Sequence, residues 1–212
     1  MLNPGKSPTA TESLLCACVA LLVWLAAPFG VAAQEYHVDV GADNVVRFIS
    51  EATIEDFEGV TDAIDGFIVL GDGGLASGAT AGSEFYLEVD LGSLDTGIGL
   101  RNRHMRDNYL ETDEFPYATF SGSFADVRQG DAGWTRVMGQ GDLAIHGVSQ
   151  PVEIACEVAP SGGGFRARCA FEVLLSDFDI EIPKVMFMKL ANEIRLELDF
   201  FVAPANLEGE RS

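Results

Sequence analysis

Within six positions this chain gathers Arg101, Arg103, His104 and Arg106, although its formal net charge is -20. Guanidinium forks grip carboxylates or phosphates, and an imidazole titrates near neutrality, so the cluster could hold a polar head or move a proton. Proton chemistry needs a second group. The other histidines, His37 and His146, are scattered, and there is no His-x-x-x-His pair, nucleophile elbow, phosphate-cradling glycine loop or Cys/His metal spacing. Acids are abundant everywhere, 33 against 13 Lys and Arg, so carboxylates close in sequence carry no catalytic information. The inventory describes a binding protein sooner than an enzyme, with no catalytic residue, metal or cofactor expected. A surface this acidic repels phosphate backbones, which argues against nucleic acid as a partner.

The elements that must position the cluster are strands. From Tyr36 onward the dominant period is two: "EFYLEVDL" alternates Phe85, Leu87, Val89 and Leu91 with polar neighbours, and "EIRLELDFFV" does the same with Ile194, Leu196, Leu198, Phe200 and Val202. Similar half-apolar runs cover 45–54, 62–70, 117–127, 135–146, 151–159 and 165–175, with a short first strand at 36–40. Glycine-rich and polar breaks such as "GDGGLASGATAG" and "RQGDAG" separate them. This pattern predicts an all-β antiparallel sandwich or barrel. The arginine cluster falls between the strands ending near Leu91 and beginning near Tyr117, and its spacing predicts a short helical connection near 100–110. Two readings stay open there: guanidinium groups fastening an acidic loop to the rim of the sheet, or a positive lip receiving the head of a bound molecule.

One hairpin can be registered. A tight turn at Gly162-Gly163 pairs Ser161 with Gly164 and sets Cys156 opposite Cys169, with Glu157 opposite Arg168 on the outer face. A directly opposed pair can meet disulfide geometry, so a Cys156–Cys169 bridge is expected, worth roughly 3 kcal/mol for a loop of this length. Gly139 and Gly141 share a face with Val137, Leu143 and Ile145, leaving that face short of side chains. A cavity and a bend at a barrel corner are equally served by them. Phe48, Phe85, Phe120, Phe124, Phe171 and Phe200 lie on dry faces.

The chain opens with a polar leader containing Lys6, the apolar run "LLCACVALLVWLAAPFGVAA" at 14–33, and small residues Val31 and Ala33 where a signal peptidase reads. Residues 1–33 are expected to be a cleaved signal peptide, with an uncleaved anchor as the alternative because the run approaches the roughly 20 residues that span a bilayer. Cleavage after Ala33 removes one base, Lys6, and one acid, Glu12, so the net charge stays -20. Residues 34–203 then form one domain and 204–212 a disordered tail. Export also supplies the oxidising compartment that a disulfide needs.

Two longer stretches carry a resemblance. "TGIGLRNRHMRDNYLETDEFPYATF" answers the pattern Arg-x-x-His-Leu-Arg ending in Tyr-Pro-x-Ala-x-Phe, through Arg101, His104, Met105, Arg106, Phe115, Pro116, Ala118 and Phe120. "GQGDLAIHGVSQP" matches Gly-x-Leu-x-Ile-x-Gly-Val-x-x-Pro at Gly141, Leu143, Ile145, Gly147, Val148 and Pro151. From about Tyr36 to Val202 the sequence resembles the YceI-like family of exported lipocalin-like proteins. The resemblance implies an extended eight-stranded antiparallel barrel around a lipid-filled tunnel, in which members hold polyisoprenoids, quinones or other amphipathic molecules. On that reading Phe48, Phe85, Leu87, Phe120, Phe124, Gly139, Gly141, Leu143, Phe171, Leu196 and Phe200 line the tunnel, and Arg101, Arg103, His104, Arg106 and Met186 stand at the mouth. The connection "PKVMFMKLAN" departs from the family pattern, and a second short helical connection is expected near 183–190. A periplasmic or secreted monomer or homodimer, with no stable membrane insertion after cleavage, completes the expectation. A ligand-free structural or stress-response barrel is the alternative, and a lipid-acting enzyme a more distant one.

Overall fold

The computed structural model describes residues 33–50, 57–182, 184–185, 188–189 and 191–205. Strands β1 (Gln34–Val38), β2 (Val45–Ser50), β3 (Phe57–Thr61), β4 (Ile64–Leu70) and β5 (Glu84–Asp90) precede helix α1 (Gly99–Asn108). After it come β6 (Tyr117–Gln129), β7 (Thr135–Ile145), β8 (Val148–Ser161), β9 (Gly164–Leu174), β10 (Lys184–Val185), β11 (Met188–Lys189) and β12 (Glu193–Pro204).

The sheet runs β1-β4-β5-β6-β7-β8-β9-β12, every neighbour antiparallel, and β1 pairs back onto β12 through Tyr36↔Pro204 and Val38↔Val202. Eight strands therefore close into a barrel, which removes the open edges that an alternating sheet would otherwise expose. One edge of β12 is shared: its last residues hold β1, while Ile194 to Asp199 hold β2, which carries β3 as a hairpin. Alternation dictates the rest. Phe85, Val127, Val137, Leu143, Ile154, Ala167, Phe200 and Val202 turn inward and are buried, while their sequence neighbours carry the charge outward.

The register set by Gly162-Gly163 is present: Ser161 faces Gly164, Glu157 faces Arg168 and Cys156 faces Cys169. Both glycines have positive φ, 51° and 89°, as a two-residue hairpin turn of this hand requires. Cys156 and Cys169 are disulfide-bonded across a Cα–Cα distance of 4.3 Å, close to that of a non-hydrogen-bonded antiparallel pair. The bridge is the last registered rung between β8 and β9. Below it the chain makes a 3-10 turn over Leu175–Phe178, and Phe178 and Ile180 pack with Leu143 and, beyond it, Val152, Phe171 and Val173. Outside the barrel the same register carries a row of alternating charge, Arg136–Glu157–Arg168–Asp199, in which Arg168 Nε donates to Asp199 Oδ2 at 3.0 Å and Arg168 also lies 4.8 Å from the Trp134 ring centroid.

One strand lies between the expected runs, and one expectation needs correction. The acidic stretch 55–61 contains the separate strand β3, because pairing with β2 supplies the backbone partners that its composition does not advertise. At 183–190 there is no helix among the described residues; Lys184 pairs with Lys189 and Val185 with Met188 as a two-stranded ribbon. A helix of that length cannot recover its nucleation cost, whereas a local hairpin pairs its backbone at once. Pro204 belongs to β12, and Ala205 N–H donates to Glu35 O at 2.9 Å. Residues 1–32 and 206–212, which hold most of the expected signal peptide and tail, lie outside the described residues, as does Met186.

Candidate ligand cavity and its mouth

The inward faces enclose a cavity of about 590 Å³, within the roughly 300–1,000 Å³ usual for small-molecule sites. Its wall is apolar over most of its extent. Phe48, Phe85, Leu87, Phe120, Phe124, Leu143, Phe171, Leu196 and Phe200 all line it, as does Gly139. Phe85, Phe120 and Phe124 form one packed patch of it, with the Phe85 ring centroid 4.7 Å from that of Phe120 and 6.0 Å from that of Phe124. Both disulfide cysteines also belong to the lining, as do Ile154, Val158 and Ala167.

The two glycines of β7 do different work. A Cβ on Gly139 would meet the Phe85 and Phe120 rings at 3.3 and 3.4 Å, a tight contact, so the missing side chain is what lets the two rings pack against β7. Gly141 is not part of the lining. It stands opposite Gly122, and a Cβ there would run into the Ser121 carbonyl oxygen and lie 2.8 Å from Gly122 Cα. Close backbone approach at the β6–β7 crossing is what requires Gly141, next to the bulge between Phe124 and Asp126.

Six side chains with polar atoms interrupt the lining: Ser50, Arg101, His104, Tyr109, Thr119 and Glu181. Arg101, His104 and Met105 come from α1, which closes over one end. The helix is tied down from beneath. Asn102, buried, donates from Nδ2 to Asp95 Oδ1 at 2.6 Å and accepts at Oδ1 from Thr96 N–H and Thr96 Oγ1–H. Asp95 also accepts from Gly97 N–H at 2.8 Å and pairs by its backbone with Val60 of β3. The hydrogen bond from Asn102, then that from Gly97, and more weakly the Arg106 charge hold the Asp95 carboxyl below its ordinary value of 3.8, against a smaller opposing effect of burial.

The four bases of the cluster separate on this frame. Arg101 lies over the Phe57 ring, 4.9 Å from its centroid, and lines the mouth with His104. Arg106 points back, its Nη1 donating to the Gly92 carbonyl at 3.4 Å. Arg103 is exposed and outside the lining. None of the three arginines forms an ion pair among the described residues, so acidic partners do not account for the cluster. His146, in the β7–β8 turn, lies 3.2 Å from the Phe178 carbonyl and 2.8 Å from the Glu111 carboxylate, which ties the 3-10 turn to the loop after α1. His37 meets Glu35 on the exposed face of β1.

Sequence reasoning missed Asn102, Asp95, Ser50 and the Phe178–Ile180 segment. Asp95 left a trace, because Asp-x-Gly is an Asx-turn signal just ahead of a helix. Ser50 left none: it falls inside the expected run 45–54, in phase with Val46 and Phe48, and nothing in the sequence marks it out.

A closed antiparallel barrel with an apolar lumen and a helix across one end is the architecture of the lipocalin-type binding barrels. The family model described as YceI-like domain matches residues 36–202, and the chain belongs to that family. A relative from Vibrio campbellii, named UPF0312 protein, is 29% identical over 171 residues, covering 77% of this chain and 85% of its own. Among solved structures, BcnA of Burkholderia cenocepacia superposes with a TM-score of 0.62 at 18% identity, covering 78% of this chain and 99% of its own. A polyisoprenoid binding domain from Saccharophagus degradans, implicated in plant cell wall breakdown, gives 0.59 at 17%, covering 82% and 99%. At these identities the two structures speak for the fold.

Proposed function

We propose that the protein is an exported carrier that holds an isoprenoid-like or other amphipathic lipid in the barrel lumen, tail inside and head at the α1 mouth. The observation that carries the reading is the cavity itself: about 590 Å³ walled by phenylalanine and aliphatic side chains, with Arg101 and His104 at one end. Each methylene moved from water into such a space contributes about 0.8 kcal/mol, so a long tail binds without any catalytic group. The polyisoprenoid binding domain that shares the fold supports the same class of cargo. A binding role is favoured over catalysis because His104 is hydrogen-bonded to no acid or base among the described residues.

On the same proposal residues 1–33 are a signal peptide and the mature protein is periplasmic or secreted, as a monomer or homodimer with no nucleic-acid partner. No helix among the described residues is long and apolar enough to cross a membrane. Displacement of N-phenyl-1-naphthylamine fluorescence tests the binding claim. An isoprenoid alcohol should displace the dye from the wild type and do so more weakly from Arg101→Gln; a protein that never takes up the dye or the alcohol contradicts it.

A further inference from the structure

Four of the five large apolar residues that stand exposed among the described residues gather at the α1 end of the barrel: Ile98, Leu100, Tyr117 and Leu174. Tyr117 opens β6 and Leu174 closes β9, the strand termini at that end, while Ile98 and Leu100 stand at the start of α1. Ile98 is 49% and Leu100 62% exposed, yet both also belong to the cavity lining. The apolar wall of the lumen therefore runs out through them onto the surface, where it meets water. Beside them Arg103 and His104 are exposed. The helix carries Arg101, Arg103 and Arg106 against one acid, Asp107, and none of the three arginines is ion-paired among the described residues.

We infer that this end of the barrel is a docking surface for a bilayer of zwitterionic phospholipids: Ile98 and Leu100 enter the headgroup layer, Arg103 meets lipid phosphates, and the cargo passes between bilayer and lumen without crossing water. The inference rests on the carrier reading and adds where the cargo is exchanged. Continuity argues for a bilayer, because a tail released into water exposes its whole apolar surface, whereas a rim whose own apolar residues touch the membrane removes that barrier. Charge argues for the headgroup. Guanidinium groups pair with phosphate oxygens. Acids stand at the same end, Glu181 in the lining and Asp113 and Glu114 between α1 and β6, and the chain as a whole is at -20, so a strongly anionic surface is repelled, while one whose phosphates are each balanced by an ammonium is not. Two apolar side chains give a brief contact and no lasting anchor, which suits exchange.

The test loads the protein with geranylgeraniol bearing a nitrobenzoxadiazole fluorophore and mixes it with phosphatidylcholine vesicles that contain a rhodamine-labelled quencher lipid. The slope of the transfer rate against vesicle concentration measures exchange by contact, and the intercept at zero vesicles measures release into water. The slope should be positive for wild type, fall by about fivefold in Leu100→Ser and about twofold in Arg103→Gln, and be lower on phosphatidylglycerol vesicles. Arg103 is outside the lining, so its effect on the slope cannot come from the lumen. A slope of zero, with the alcohol lost through the intercept alone, overturns the docking surface and leaves the carrier reading standing. A positive slope equal in all three proteins, a steeper slope on phosphatidylglycerol, or a wild-type dimer undone by Leu100→Ser, which gives the face to a second copy, also overturns it. A protein that never takes up the labelled alcohol overturns the carrier reading as well.

Discussion

Asn102 Nδ2 donates to Asp95 Oδ1 at 2.6 Å, and this bond fastens α1, with Arg101 and His104, across the end of the barrel. Asn102→Ala removes that donor and the acceptor of Thr96 together. The variant should lose about 1–3 kcal/mol in denaturant unfolding and release bound dye faster than wild type. Unchanged dye release would mean that the helix does not control the mouth.

The same carboxylate gives a pH signature. Its folded value lies below the unfolded one, so its contribution is complete above the ordinary carboxylate range and disappears as pH falls through the depressed folded value. The difference in melting temperature between wild type and Asp95→Asn should therefore be largest near neutrality and shrink in strong acid. A difference that grows on acidification has the wrong sign for this account.

Gly139 and Gly141 differ in what a side chain would meet. Gly139→Ala sets a methyl tightly against the Phe85 and Phe120 rings, which can give by a few tenths of an ångström, so it should cost less than Gly141→Ala, which drives a methyl into the Ser121 carbonyl and should destabilise by about 1–3 kcal/mol. Equal destabilisation in both, read by denaturant unfolding, would mean that the rings beside Gly139 cannot move.

Cys156→Ala with Cys169→Ala should cost about 3 kcal/mol in guanidinium unfolding. Because this pair is the last registered rung between β8 and β9, amide exchange should accelerate first in β8 and β9 and not in β5 or β6. Uniform acceleration would assign the bridge a purely global effect.

Within the mouth, Arg103→Gln should leave affinity for an isoprenoid alcohol unchanged while Arg101→Gln weakens it, as only Arg101 lines the cavity. Equal losses would show that the whole cluster acts through its net charge.

The barrel was legible where local rules act alone. Alternation in "EFYLEVDL" and "EIRLELDFFV" identifies inward residues, and a diglycine turn counts out the Cys156–Cys169 register with no tertiary information. What stayed hidden depends on partners far along the chain. β3 lies between the expected runs at 45–54 and 62–70 and is a strand because β2 pairs with it, and the Phe178–Ile180 segment lies past the expected run at 165–175, where Asp179, at φ 54°, turns the chain. The arginine cluster was visible as composition, yet its division into a mouth residue, a tether and an exposed base depends on where Phe57, Gly92 and Asp95 arrive. Ser50 was beyond reach because burial without a partner is a property of the assembled lumen.

Native mass spectrometry of the protein purified from its own host tests the central claim most directly. The folded protein should carry extra mass that organic extraction releases as an isoprenoid-like or other amphipathic lipid. A folded protein at its bare polypeptide mass, which also refuses isoprenoid alcohols when they are offered, would contradict the account.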